Sequence, residues 1–175
     1  MRSWLRDVRD ALLTWPDRAA WRRAVSIWLL FVVAAVPVAW RSGLVAPELA
    51  PVTPRLALAI VGTILLHPAF GEEFLFRVLM LPRRPDSVSP VAFVVRGLAS
   101  LVLYVGAHPL NAWLTRPAVL PVFTNPWYLA LATLLGVACS AIYVRTGSVW
   151  PSVLVHWTTV SAWILLLGGQ SRLRI

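Results

Sequence analysis

The chain has 175 residues, 59% of them hydrophobic and only 13% charged, with a mean hydropathy of +0.74. That composition excludes both a water-soluble globule, which carries about a quarter charged residues, and a disordered chain, which is poor in apolar side chains. All 16 basic residues are arginine against 7 acids, a net charge of +9; without lysine there is no serine–lysine dyad, Schiff base or P-loop lysine, and the single Cys139 excludes an internal disulfide or a multi-cysteine metal site.

In chain order, residues 1–23 lack the short apolar core and small-residue cleavage site of a signal peptide and carry Asp7, Asp10 and Asp17. Trp4, Leu5, Val8, Leu12, Leu13 and Trp15 fall roughly on one helical face between arginines. The segment reads as a basic amphipathic helix on the cytoplasmic headgroup layer, with a merely solvated basic tail as the alternative. The rest, 24–175, reads as one membrane-embedded domain.

Charge-free runs follow at 24–40, 56–71, 97–115, 117–144 and 146–171. Since about 20 apolar residues cross the hydrocarbon core, they predict five spans near 24–41, 56–81, 97–115, 127–145 and 149–168. The second spans only by running through Glu72, Glu73 and Arg77. The expected fold is therefore all-α, a polytopic membrane bundle of about five helices plus the N-terminal segment. With the N-terminus inside, ten arginines fall in inner segments and five in outer ones, so the N-terminus is expected in the cytoplasm. Arginines that flank apolar runs along the whole chain suit phospholipid headgroups and argue against nucleic acid as a partner.

Ionisable groups at membrane depth are functional candidates by default. They are His67, Glu72, Glu73, Arg77, His108 and His156. On a helix Glu73 and Arg77 are four apart and can pair, whereas Glu72 points about 100° away and is left free to act as a base. Counted from the expected span ends, Glu72 lies ~14 Å, His108 ~17 Å and His156 ~11 Å deep, so three spans carry reactive groups to similar depth. His108 precedes Pro109 and is expected at a helix end or kink. His67 is expected to be a helix–helix hydrogen-bonding residue, and Tyr104, Cys139 and the tryptophans ordinary packing.

GEEFLFR at 71–77 resembles the Glu-Glu-x-x-x-Arg motif of the CAAX-protease and bacteriocin-processing family of intramembrane endopeptidases. YVGAH at 104–108 resembles that family's Phe-x-x-x-His, and VRTGSVWPSVLVH at 144–156 the segment leading to its third histidine, the three together covering about 56–168. The resemblance implies that Glu72 activates the attacking water with help from His108, that His156 stabilises the oxyanion, and that Glu73 with Arg77 braces Glu72. Tyr104 stands where the family has Phe, Val78 where glycine is common, and Val160 where Asn or Asp is usual, with Thr159 or Ser161 as conceivable substitutes. The implied mechanism needs no cofactor; the alternative is zinc held by Glu72, His108 and His156. The expected substrate is a membrane-tethered protein or peptide, such as a C-terminal sorting tail. The lysine-free, arginine-rich composition points to GC-rich coding and so to a bacterial inner membrane. A catalytically silent immunity or scaffold protein and a small proton-coupled transporter stand as alternatives.

Overall fold

The computed structural model describes residues 2–173. These are helical almost throughout: α1 (Arg2–Leu13), α2 (Arg18–Arg41), α3 (Pro54–Val78), α4 (Pro90–Thr115), α5 (Pro126–Thr146), α6 (Trp150–Leu166) and α7 (Gly169–Leu173). Among the described residues there is no β-strand, only an isolated bridge between Glu48 and Leu167. The long helices begin where the sequence places caps. Asp17, Thr53, Ser89 and Asn125 accept hydrogen bonds from the first-turn N–H groups of α2, α3, α4 and α5. The last three are each followed by proline at the first helical position, where its missing N–H costs nothing. Gly147, with φ of 63°, closes α5 in the left-handed region that a glycine adopts without strain.

Helices α2, α3, α4 and α5 are long and apolar enough to cross a membrane. The fifth expected span is the 17-residue α6, about 26 Å long and so shorter than the ~30 Å hydrocarbon core. Its length is set by Gly147 and Val149 before it and by Gly168, with φ of 74°, after it. The distribution of polarity is inverted relative to a soluble domain. Leu30, Val33 and Val102 are 71%, 73% and 68% exposed, while Glu73, Arg77, His156, Ser100, Ser148 and Ser152 are buried. The apolar exterior meets lipid, and the chain is an integral membrane protein.

Three local features depart from the sequence expectations. First, α2 starts at Arg18 and runs unbroken through the 23/24 boundary, while α1 is docked rather than free. Ala11 is fully buried in an apolar cluster with Ala69, Val78, Tyr143, Val149 and Val153. Trp150 Nε1 donates to the Leu12 carbonyl at 2.8 Å, Ser148 Oγ to that of Thr14 at 2.7 Å, and Arg83 to the Thr14 hydroxyl at 3.1 Å. The solvated-tail alternative is thereby excluded for α1.

Second, α3 is not one regular helix. It breaks at His67 (φ −147°, ψ 118°), and widened π-type turns at Leu65–Phe70 and Phe74–Val78 flank the single turn Gly71–Glu73. Pro68 explains the break, since the residue before proline is pushed out of the helical region. His67 is exposed there, and among the described residues it makes no hydrogen bond, so the helix-bridging role expected of it is not what it does. Third, α4 continues through Pro109, so His108 lies within the helix rather than at its end. Burial of the surrounding turns, with Tyr104 and Ala112 on the packed face, outweighs the local preference of the pre-proline residue.

Candidate active site

The single α-helical turn Gly71–Glu73, between the widened turns of α3, points two consecutive carboxylates in different directions. Glu73 is fully buried. One of its oxygens lies 2.9 Å from His156 Nδ1 on α6, and the other 3.3 Å from Arg77 Nε one turn along α3. Arg77, itself 1% exposed, donates through Nη2 to the Gly136 carbonyl at 3.1 Å and lays its guanidinium over the Tyr104 ring at 4.3 Å. Four helices thus meet at one buried ion pair: α3 through Glu73 and Arg77, α4 through Tyr104, α5 through Gly136 and α6 through His156.

Glu72 stands outside this knot. Its side chain is 19% exposed, and its Oε2 faces His156 Nε2 at 3.9 Å, too far for a direct hydrogen bond. That oxygen is buried and, among the described residues, has no hydrogen-bond partner. A carboxylate oxygen left in this state is unusual enough to require an explanation, and a reactive site is a common one.

His108 approaches from α4. Its Nδ1 lies 2.9 Å from the Tyr104 carbonyl, and its ring packs edge-on against Tyr104, Phe123 and Tyr128, with centroids 5.1, 5.8 and 5.6 Å away. The His156 ring meets the same Tyr104 ring edge-on at 6.1 Å. Their partners fix the tautomers. A carbonyl and a carboxylate oxygen only accept, so Nδ1 of each histidine carries the hydrogen, and Nε2 of His156 is left facing Glu72.

Of the residues singled out in the sequence, Glu72, Glu73, Arg77 and His156 are brought into direct register, and His108 joins them through Tyr104. One relation differs from expectation: Glu73 and Arg77 brace His156, not Glu72. Helix geometry could pair Glu73 with Arg77 but could not say which carboxylate a histidine from another helix would meet. The site also contains two residues that sequence reasoning set aside or passed over. Tyr104 sits against Arg77 and both imidazoles, and its position four residues before His108 was the available signal. Gly136 had no comparable sequence signal. A Cβ there would lie 2.8 Å from Leu101 Cδ1 and 2.9 Å from Tyr104 Cδ1, so only glycine admits this approach of α5 to α4.

Val160, one turn beyond His156, packs into an apolar cluster with Ile64, Ala112, Val119 and Ile164. Thr159 does not replace the missing polar group. Its hydroxyl donates to the Val155 carbonyl at 2.7 Å and accepts from Trp28 Nε1 at 3.1 Å, facing α2. Ser161 lies in a groove with Val61, Trp157 and Ala162, about 140° around α6 from His156. Among the described residues no three histidine, cysteine, aspartate or glutamate side chains are gathered closely enough to hold a metal ion.

Residues 53–162, well over half the chain, match the family model described as type II CAAX prenyl endopeptidase Rce1-like. The chain belongs to this family. The match runs from the cap of α3 into α6 and takes in Glu72, Glu73, Arg77, His108 and His156. It agrees with the resemblance carried by the three sequence motifs. Membership points to a CAAX-type intramembrane protease and to a membrane-associated peptide as substrate class. No curated protein and no solved structure matches the chain.

Proposed function

We propose that the protein is an intramembrane endopeptidase in which Glu72 activates a water molecule for attack on a peptide bond near the membrane face. The observation that carries this reading is the 3.9 Å approach of Glu72 Oε2 to His156 Nε2 beside a sealed Glu73–Arg77 pair. A water about 2.8 Å from each would bridge the carboxylate and the imidazole, and so be held and polarised at once. Glu72 is the carboxylate suited to that work because it alone keeps contact with the exterior. Glu73 is committed to Arg77 and His156 and sets the imidazole's tautomer and direction.

In the reaction, Glu72 takes one proton of the water as its oxygen bonds to the carbonyl carbon, and the carbonyl electron pair moves onto the carbonyl oxygen. When the carbon–oxygen double bond reforms, the carbon–nitrogen bond breaks and the amine leaves with the proton held by Glu72. His108, whose ring packs against the same Tyr104 as that of His156, assists in moving that proton. The substrate is a peptide tethered to the bilayer, such as the C-terminal tail of a membrane-associated protein.

The arginine distribution supports a cytoplasmic N-terminus in a bacterial inner membrane. α1, Arg83 and the Gly147–Ser148 turn meet at one end of the bundle, so on this reading all three face the same side of the membrane. A second reading, a silent family member acting as a scaffold, is favoured by the apolar seat of Val160. One experiment separates the two. Purified protein in phospholipid vesicles is given lipid-anchored peptides, with and without chelator, beside a Glu72→Gln variant. Cleavage by the parent chain and not by the variant supports the protease; cellular function untouched by Glu72→Gln supports the scaffold.

A further inference from the structure

Helices α4 and α5 approach closely at one level and leave a gap at another. Where Gly136 faces α4, an added Cβ would lie 2.8 Å from Leu101 Cδ1. At Gly97, one turn before Leu101, an added Cβ would meet nothing within 4 Å. Between the two helices runs a groove of about 450 Å³, with Phe93, Gly97 and Leu101 on one wall and Val137, Ser140 and Arg145 on the other. It starts at the end of the bundle that holds the end of α1, Arg83 and the Gly147–Ser148 turn, and it runs up to the level of the Leu101–Gly136 approach.

Two properties of the groove say what fills it. Its depth is close to that of one leaflet. Val137 and Arg145 are eight residues apart on α5, ~12 Å along the axis, against ~15 Å for half of the hydrocarbon core. Its polarity is divided as a lipid's is. The deep part is apolar, since Ser140, the one hydroxyl on its walls, donates to the Gly136 carbonyl at 2.8 Å within its own helix. The mouth carries Arg145, and among the described residues no acid lines the groove. Arg83 is committed to the Gly147 carbonyl at 2.9 Å and the Thr14 hydroxyl at 3.1 Å, whereas among the described residues Arg145 is exposed and makes no ion pair or side-chain hydrogen bond.

We propose that this groove binds a phospholipid with a net negative headgroup, one acyl chain lying between α4 and α5 and the phosphate on Arg145. A guanidinium grips a phosphate through two parallel N–H donors, and a zwitterionic headgroup brings its own cation to compete for that phosphate. Basic pockets between spanning helices recognise anionic lipids by the same combination. The acyl chain packs beneath the Leu101–Gly136 approach that also seats Tyr104, so the bound lipid braces α4 on α5 below the buried ion pair. This site is separate from the peptide-cleaving one and does not depend on the protease reading.

The test takes the parent chain, stripped of lipid in a neutral detergent, and titrates it with dioleoyl phosphatidylglycerol or dioleoyl phosphatidylcholine. Bound lipid is counted by native mass spectrometry beside thermal unfolding. The expected result is one tightly held phosphatidylglycerol per chain, raising the apparent Tm by about 5–10 °C at 100-fold excess over its Kd, with a smaller shift from phosphatidylcholine. Arg145→Gln, at an exposed position, is expected to weaken phosphatidylglycerol about fivefold or more and to leave phosphatidylcholine unchanged. Gly97→Leu extends into open space and favours the helix, so its lipid-free Tm is expected to match or exceed the parent's while the lipid shift is lost. Should Gly97→Leu fold poorly, Arg145→Gln decides alone. Equal binding of the two lipids by the parent, or phosphatidylglycerol binding that either folded variant leaves intact, overturns the proposal. So does a parent chain that runs as a dimer where Gly97→Leu runs as a monomer, because a second copy then fills the groove.

Discussion

Replacing Arg77 by methionine keeps most of the side-chain volume but strips the sealed Glu73 carboxylate of its cation. Three contacts go together: the 3.3 Å ion pair, the 3.1 Å hydrogen bond to the Gly136 carbonyl and the 4.3 Å stacking on Tyr104. Because Glu73 is 0% and Arg77 1% exposed, water cannot replace what is lost. Breaking a buried pair by removing one partner costs about 3–5 kcal/mol. For a chain of this size, each kcal/mol moves the apparent Tm by about 2–4 °C, so Arg77→Met is expected to lower it by ~6–20 °C. The assay is thermal unfolding in a fixed detergent, followed by tryptophan fluorescence, for Arg77→Met, Glu73→Gln and the double variant. With both partners removed no orphaned charge is left, so the double variant is expected to recover at least ~2 kcal/mol relative to the sum of the single losses. Additive losses, or an apparent Tm for Arg77→Met within about 2 °C of the parent, would refute the claim that this buried ion pair stabilises the bundle.

The contrasting carboxylate behaves otherwise: Glu72→Gln is expected to abolish peptide cleavage while leaving the apparent Tm within about 2 °C, since Glu72 is partly exposed and its Oε2 is unpartnered. Gly136→Ala inserts a methyl 2.8–2.9 Å from Leu101 and Tyr104, and is expected to cost about 1–3 kcal/mol, measured by the same unfolding assay. The same change displaces Tyr104 from both imidazoles, so activity is expected to fall more steeply than stability. Ser148→Ala combined with Trp150→Phe removes two hydrogen bonds that hold the end of α1, and limited proteolysis is expected to cut between α1 and α2 faster than in the parent. Unchanged proteolysis of the double variant would show that apolar contacts alone keep α1 docked.

The motif residues were legible because membrane burial makes every ionisable group conspicuous. A chain this poor in charge offers few acids and imidazoles at depth, and all but one of those singled out converge in space. His67 is the exception: its local sequence looks like the others, but Pro68 breaks the helix there and leaves the ring on the outside. The division of labour between Glu72 and Glu73 was only half legible. Their 100° separation on a helix follows from residue spacing, whereas the widened turns that steer them depend on how α3 packs against α5 and α6. Tyr104 was set aside as packing, because nothing in an isolated tyrosine signals that three charged or titratable groups will gather around its ring.

By itself the sequence determined the solvent and the alphabet of the fold. Apolar runs of span length, proline and polar caps at their starts and arginines at their flanks leave a helical membrane bundle as the one arrangement that satisfies every backbone group in hydrocarbon. Tertiary structure alone decided that α6 is a short, buried helix, that α4 passes through Pro109 without a break, and that Glu73 reaches across to His156. The reason is physical. Periodicity and capping are properties of neighbours along the chain, but a buried charge is placed by whichever partner from another helix can neutralise it, and that choice exists only once the helices have packed.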